Sequence, residues 1–234
     1  MSGGKLPTTS SSADVDAFLR DLNRAPAVRP GGGRGRLIFA LDATASREPT
    51  WDRACRIQGE MFEATAALGG LDVRLVFYRG FAECKASRWM QSAGDLHRAM
   101  RAVSCVGGET QIGRVLEHAI AETKRQRVHA LVFVGDAMEE NADHLCRLAG
   151  ELGLLGTPVF IFHEGSDATA AAAFRQIAKL SRGAYLSFDL ASADRLKELL
   201  AAVAVYAAGG YRALADYSAK KGGDIRLLTA QLQG

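Results

Sequence analysis

The chain predicts an open α/β sheet, mostly parallel, with helices packed on both faces. Two observations carry that expectation. From Arg36 onward, apolar runs of strand length alternate with amphipathic segments of helical period. Several of the runs, "RLIFALD" and "VHALVFVGD" among them, lack polar alternation, as strands buried on both faces require. Strand–helix alternation of this kind belongs to the doubly wound class. In that class ligands bind outside the carboxyl ends of the strands, where the strand order reverses.

The elements follow in order. "MSGGKLPTTSSSA" is rich in Gly, Ser and Thr and predicts disorder. "DVDAFLRDLNRA" carries Val15, Phe18, Leu19 and Leu22 at helical spacing, which predicts a short amphipathic helix. "APAVRPGGGRG" is a Pro/Gly linker; no strand precedes it and no Gly-Lys-Ser/Thr follows, so it is not a phosphate loop. Residues 1–35 therefore form an extension and linker, 36–210 the folded domain, and 211–234 a helical or disordered tail.

Within the domain, the strand "RLIFALD" leads to a helix from Thr50 whose stripe is Trp51, Ala54, Cys55, Ile57, Met61 and Phe62, stopped by Gly69 and Gly70. "LDVRLVFYRG" is a strand, "FAECKASRWM" a short hairpin partner, and "SAGDLHRAMRAVSC" a modest helix. After the "VGGE" loop, "TQIGRVLEHAIAETKRQ" puts Ile112, Val115, Leu116, Ala119 and Ile120 on one helical face. There follow the strand "VHALVFVGD", the helix "ADHLCRLAGELGLLG", the strand "TPVFIFHEG", the helix "ATAAAAFRQIAKLSRG" and the short strand "AYLSFDL". A last helix runs from the N-cap Ser192 to Gly209 and Gly210.

The rule about strand ends directs attention to two loops. The first strand ends at Asp42 and continues as "DATAS", with hydroxyls at Thr44 and Ser46. "ALVFVGDAMEE" ends at Asp136, with Glu139 and Glu140 beyond it, and "GGETQIG" enters a helix at Thr110. Alone, "DATAS" reads as a polar turn with Thr50 capping the next helix. If the two strands are neighbours, Asp42 and Asp136 lie close together, and two close carboxylates call for a cation between them. With hydroxyl oxygens beside them, the donor set suits a hard divalent ion: magnesium, with manganese as its substitute. Glu139 and Glu140 read as a solvated helix start, Trp51 equally as core or rim, and Glu109 as either a rim acid or a solvent-facing one.

In these three segments the chain resembles the von Willebrand factor type A (VWA) domains, of the intracellular single-domain kind. The likeness lies in Asp42-Ala-Thr44-Ala-Ser46, Thr110 in "GGETQIG" and Asp136 in "VFVGDA", and extends over the element order from Arg36 to Gly210. It implies a Rossmann-like doubly wound fold and a metal-ion-dependent adhesion site (MIDAS). By that resemblance Thr44, Ser46 and Thr110 are the hydroxyl ligands. Asp42 and Asp136 are the carboxylates, often acting through water. Thr44 stands where the family usually has Ser and keeps the hydroxyl. The implied function is a metal-dependent protein-binding module whose partner supplies an Asp or Glu to the metal.

Other classes fit less well. A haloacid-dehalogenase-type phosphohydrolase would need an Asp at position 44, and no Ser–His or Cys–His pair is evident, so the chain reads as a non-enzyme. A net charge of +3 and the lack of a basic–aromatic stripe argue against an RNA-associated protein. The five histidines form no HxxxH or HExxH motif and read as incidental. The four cysteines form no CxxC, and no apolar stretch reaches membrane-spanning length. Reduced thiols and a cytoplasmic location, away from membranes, are the expectation.

Overall fold

The computed structural model describes residues 34–48, 51, 70–188 and 193–221. The N-terminal helix and linker, most of the helix after Thr50 and the last residues of the tail lie outside the described residues. Six strands form one sheet: β1 (Gly35–Asp42), β2 (Leu71–Arg79), β3 (Glu83–Ala86), β4 (Ala130–Gly135), β5 (Val159–Glu164) and β6 (Ala184–Phe188). Around it lie helices α1 (Ala93–Arg101), α2 (Ile112–Arg125), α3 (Ala142–Leu155), α4 (Ala168–Leu180) and α5 (Ala193–Lys221).

The strand order is β3-β2-β1-β4-β5-β6. All pairings are parallel except β2 with β3, the hairpin expected from "FAECKASRWM". The chain builds outward from β1 to β2 on one side and then returns to place β4 on the other. The switch point is therefore the carboxyl end of β1 and β4, and the first strand and the Asp136 strand are neighbours.

Every residue of β1 is buried, as its unbroken apolar pattern requires. Alternate residues serve opposite faces. Leu37, Phe39 and Leu41 join Val132, Val134, Phe160 and Phe162 under α1 and α5. Ile38 and Ala40 join Val76, Leu131, Phe133 and Ile161 under α2, α3 and α4. Trp51 belongs to the first core and donates its indole N–H to the Met100 carbonyl, so it is a core residue rather than a rim residue.

Two element boundaries carry information. The last helix breaks as expected at Gly210, whose φ of 71° is non-helical, and the tail, expected as helical or disordered, runs on as a second helical stretch to Lys221. The second half is retained because Leu214 reaches the first core, with Ala213 and Tyr217 packed against it. α2 begins at Ile112 rather than Thr110, because Thr110 and Gln111 are used to tie its N-terminus to neighbouring loops.

Candidate metal centre

Each expected site residue lies at the carboxyl end of the sheet. Asp42 is the last residue of β1 and is 1% exposed. Its carboxylate is held at both oxygens: Oδ1 accepts from the Thr44 backbone N–H at 2.7 Å, and Oδ2 from the Tyr78 hydroxyl at 2.9 Å. Tyr78 is Asp42's partner in the parallel register with β2 and is itself fully buried. Burial raises the Asp42 carboxyl above its usual range and Asp136 adds to the rise, while the hydrogen bonds from Thr44 and Tyr78 oppose it. The same burial, with the Asp42 charge, pushes the Tyr78 hydroxyl well up, so it remains a donor.

The chain then turns. Thr44 is the N-cap of a short 3-10 turn, Ala45–Arg47, and Arg47 N–H bonds back to the Thr44 carbonyl. This turn brings the Thr44 and Ser46 hydroxyls to 3.1 Å from one another, Thr44 buried and Ser46 exposed. Ala43 and Ala45 act as spacers, and Ala43 is fully buried.

Asp136 follows directly on β4. Its Oδ1 is buried and has no hydrogen-bond partner among the described residues. Gly135, beside it, sits against Asp42: a Cβ added there would lie 3.6 Å from the Asp42 Cβ and would collide with the Phe133 ring. The Asp136 carbonyl is met by the Nε2 of buried His163, whose Nδ1 faces the Tyr185 hydroxyl at 2.9 Å. Burial lowers the His163 pKa, so the ring is neutral: Nε2–H donates to the carbonyl, and Nδ1 accepts from Tyr185.

Thr110 approaches from the loop before α2. Its backbone N–H donates to Glu139 Oε2, and its hydroxyl accepts from the Glu139 N–H, each at 3.0 Å. One lone pair and the hydroxyl proton of Thr110 stay available. Glu140 accepts from the N–H groups of Ile112 and Gly113 at 2.5 and 2.8 Å. Glu139 and Glu140 are thus not simply a solvated start of their own helix. They supply a capping pair to the N-terminus of α2 from another loop, satisfying donors the helix leaves unpaired. The loop preceding Thr110 is bound to the same frame: Val106 N–H donates to the Ala43 carbonyl, and Glu109 N–H to the Gly80 carbonyl. Gly108 packs on Gly80 so closely that a side chain there would overlap its backbone.

Three groups at this pole were not read from the sequence. Tyr78 gave no signal, since its role depends on strand register. His163 sat in an apolar strand with no partner spacing. Arg47 gave no signal either, yet it is 3% exposed and ion-paired with Glu164 at the end of β5. Burial lowers its pKa, while Asp136 and Asp42 favour its charged form.

Among the described residues no group of three or more His, Cys, Asp or Glu side chains is placed to hold a metal ion. The donor set here is of another kind, two carboxylates with hydroxyls. The buried, unpartnered Asp136 Oδ1 and the converging Thr44 and Ser46 hydroxyls fit a small, hard cation. Cys105, near Arg47, is no candidate nucleophile, because burial pushes its thiol up to about 11.

By sequence the chain matches no protein-family model and none of the curated proteins. By structure it matches several solved chains. The VWA domain of SpRpn10 superposes with a TM-score of 0.56 at 15% identity, over 67% of this chain and 88% of that one. Proximal thread matrix protein 1 from the mussel byssus, in a form with a zinc-occupied MIDAS motif, gives 0.55 at 17% identity, over 72% of this chain and 45% of that one. The pilus adhesin SpaC from Lactobacillus rhamnosus GG gives 0.56 at 11% identity, over 82% of this chain and 31% of that one. The chain thus spans most of the first and less than half of each of the others. The fold is a VWA-type doubly wound α/β fold.

Proposed function

We propose that this chain is a metal-ion-dependent protein-binding module. Asp42, Thr44, Ser46, Thr110 and Asp136 would hold one magnesium ion, directly or through water, and manganese would substitute for it. A bound divalent ion supplies a Lewis-acidic positive centre that makes an acidic pole attractive to carboxylates. The partner would contribute an Asp or Glu side chain to it. One observation carries the reading: a buried carboxylate oxygen of Asp136 without a hydrogen-bond partner among the described residues, at the pole where the Thr44 and Ser46 hydroxyls converge. A buried charged acceptor left unmatched is costly, and a cation removes the cost.

The chain's own residues prepare the site. Tyr78 and the Thr44 N–H aim Asp42, and His163 fixes the backbone at Asp136. Phe81, 76% exposed, and Val106, 44% exposed, stand on the two loops tied to Gly80 and Ala43. A partner whose acid lies beside an apolar residue fits that rim. The zinc-occupied MIDAS motif of the mussel protein is in keeping with a divalent ion in this fold.

The alternatives draw less support. Asp42 is buried, with both oxygens engaged, and so is poorly placed as the nucleophile of a phosphohydrolase. The Arg36 and Arg74 guanidiniums stack near Trp89 but are paired with buried Glu122, not offered to RNA. A cytoplasmic setting accords with Cys84, Cys105 and Cys146 being free thiols. No helix among the described residues is long and apolar enough to cross a membrane.

Thermal unfolding in magnesium or manganese against chelator tests the proposal. Metal at 100-fold over its Kd is expected to add about 2.7 kcal/mol of stability, and Asp136→Ala is expected to abolish the gain. Identical unfolding of the wild type under saturating metal and chelator would sink the reading.

A further inference from the structure

β1 and β5 are not neighbours, because β4 lies between them. Yet Arg47, on the turn leaving β1, pairs with Glu164, the last residue of β5. Adjacent strands lie about 4.8 Å apart, so these two strand ends are separated by roughly 10 Å. Arg47 and Glu164 thus meet at the carboxyl pole of the sheet, where Asp136 follows the intervening β4. Gly135 pairs with His163 in register, which sets Asp136 level with Glu164. The pair therefore lies at the strand end next to Asp136. Both partners of the pair are shielded, with side chains 3% and 13% exposed. An arginine keeps its charge even when buried. A permanent cation therefore lies beside the carboxylates proposed to bind the metal.

We propose that Arg47 is a built-in competitor of the metal ion, and that Glu164 restrains it. Its guanidinium offsets part of the negative charge of Asp42 and Asp136. The same positive charge repels an entering divalent cation and weakens its binding. Glu164 draws the guanidinium towards β5. Loss of Glu164 removes one restraint on the guanidinium and shifts it towards Asp136 Oδ1, the acceptor that has no hydrogen-bond partner among the described residues. The affinity of the site is then set by where one arginine is held, and a partner or modification that disturbs the Arg47–Glu164 pair would tune metal uptake. This inference rests on the metal-binding reading above.

The two ends of the pair have opposite expected effects, which a purely structural role would not produce. Manganese is titrated calorimetrically into the full chain, as wild type, Arg47→Met, Arg47→Lys and Glu164→Gln, with circular dichroism to confirm folding. Arg47→Met is expected to bind manganese at least tenfold tighter than wild type. Arg47→Lys, which keeps the charge, is expected to stay below Arg47→Met in affinity. Glu164→Gln is expected to bind at least threefold more weakly. Equal or weaker binding by Arg47→Met, or equal or tighter binding by Glu164→Gln, overturns the role of Arg47 while leaving the metal site intact. Where Arg47→Met does not fold, Arg47→Gln takes its place, and the Glu164→Gln result decides alone if neither folds. No binding by any of the proteins, wild type included, overturns the metal reading itself.

Discussion

The carboxylate of Asp42 shows how much of the site is decided one atom at a time. Its two oxygens are committed to Thr44 and Tyr78, so its direction is set before any ligand arrives. Tyr78→Phe removes one donor and leaves Oδ2 buried without it. The expected loss is about 1–3 kcal/mol of folding stability, measured by urea unfolding in chelator; unchanged stability would mean the hydroxyl does not orient Asp42. A second single-residue effect lies at the other end of the sheet. His129 Nδ1 accepts from the Arg36 backbone N–H at 2.9 Å, and burial, with the nearby Arg127 and Arg36 charges, pushes its pKa down to about 4. An unfolded histidine titrates near pH ~6.5. Between those values the unfolded chain binds a proton that the fold refuses, so stability is full above the upper value and falls as pH drops towards the lower. After allowance for solvent screening of a half-buried ring, the loss is on the order of 1–2 kcal/mol. His129→Gln, which can still accept that bond, is expected to flatten the stability profile between pH ~7 and ~4.5 by about that amount. An identical profile for both proteins would contradict it.

At the scale of elements, the N-terminus of α2 is the joint that links the Thr110 loop to the Asp136 loop. Glu140 accepts two backbone N–H groups there, and Glu139 trades hydrogen bonds with Thr110. Capping by a side chain from a distant loop has the physics of an ordinary cap with a negative charge added at the positive end of the helix. Glu140→Ala is expected to cost about 1–2 kcal/mol. It should also speed amide exchange at Ile112 and Gly113 before it does so elsewhere in α2, and exchange rates unchanged at those two amides would contradict the assignment. Such a cap has no local sequence signature, because its parts are nearly thirty residues apart, and "AMEE" alone reads as a polar helix start. The Gly-Gly stop signal of α5 was legible, and Gly210 breaks the helix there; the tail beyond reads equally as helix or disorder, and the core contact of Leu214 decides it as helix.

For the whole molecule, what was legible and what was not divide along sequence separation. The unbroken apolar runs of β1, β4 and β5 announced strands buried on both faces, and alternation with helices announced the doubly wound class. From that class alone, the place to look for a site followed, and Asp42, Thr110 and Asp136 each stand at an element end on that pole. Arg47, Tyr78 and His163 were not legible, because each takes its role from a partner on another strand: Glu164, Asp42 and the Asp136 carbonyl. An arginine after a turn is ordinarily solvated, and nothing near Arg47 in the chain reveals that β5 will bring it a buried acid. The central claim is that these pieces make one divalent-cation site. Equilibrium dialysis of manganese against the full chain, with Asp136→Asn beside the wild type, tests it most directly. One ion bound per wild-type chain, lost in the folded Asp136→Asn variant, is the expected result; no bound ion in the wild type, or equal binding by the two proteins, would contradict it.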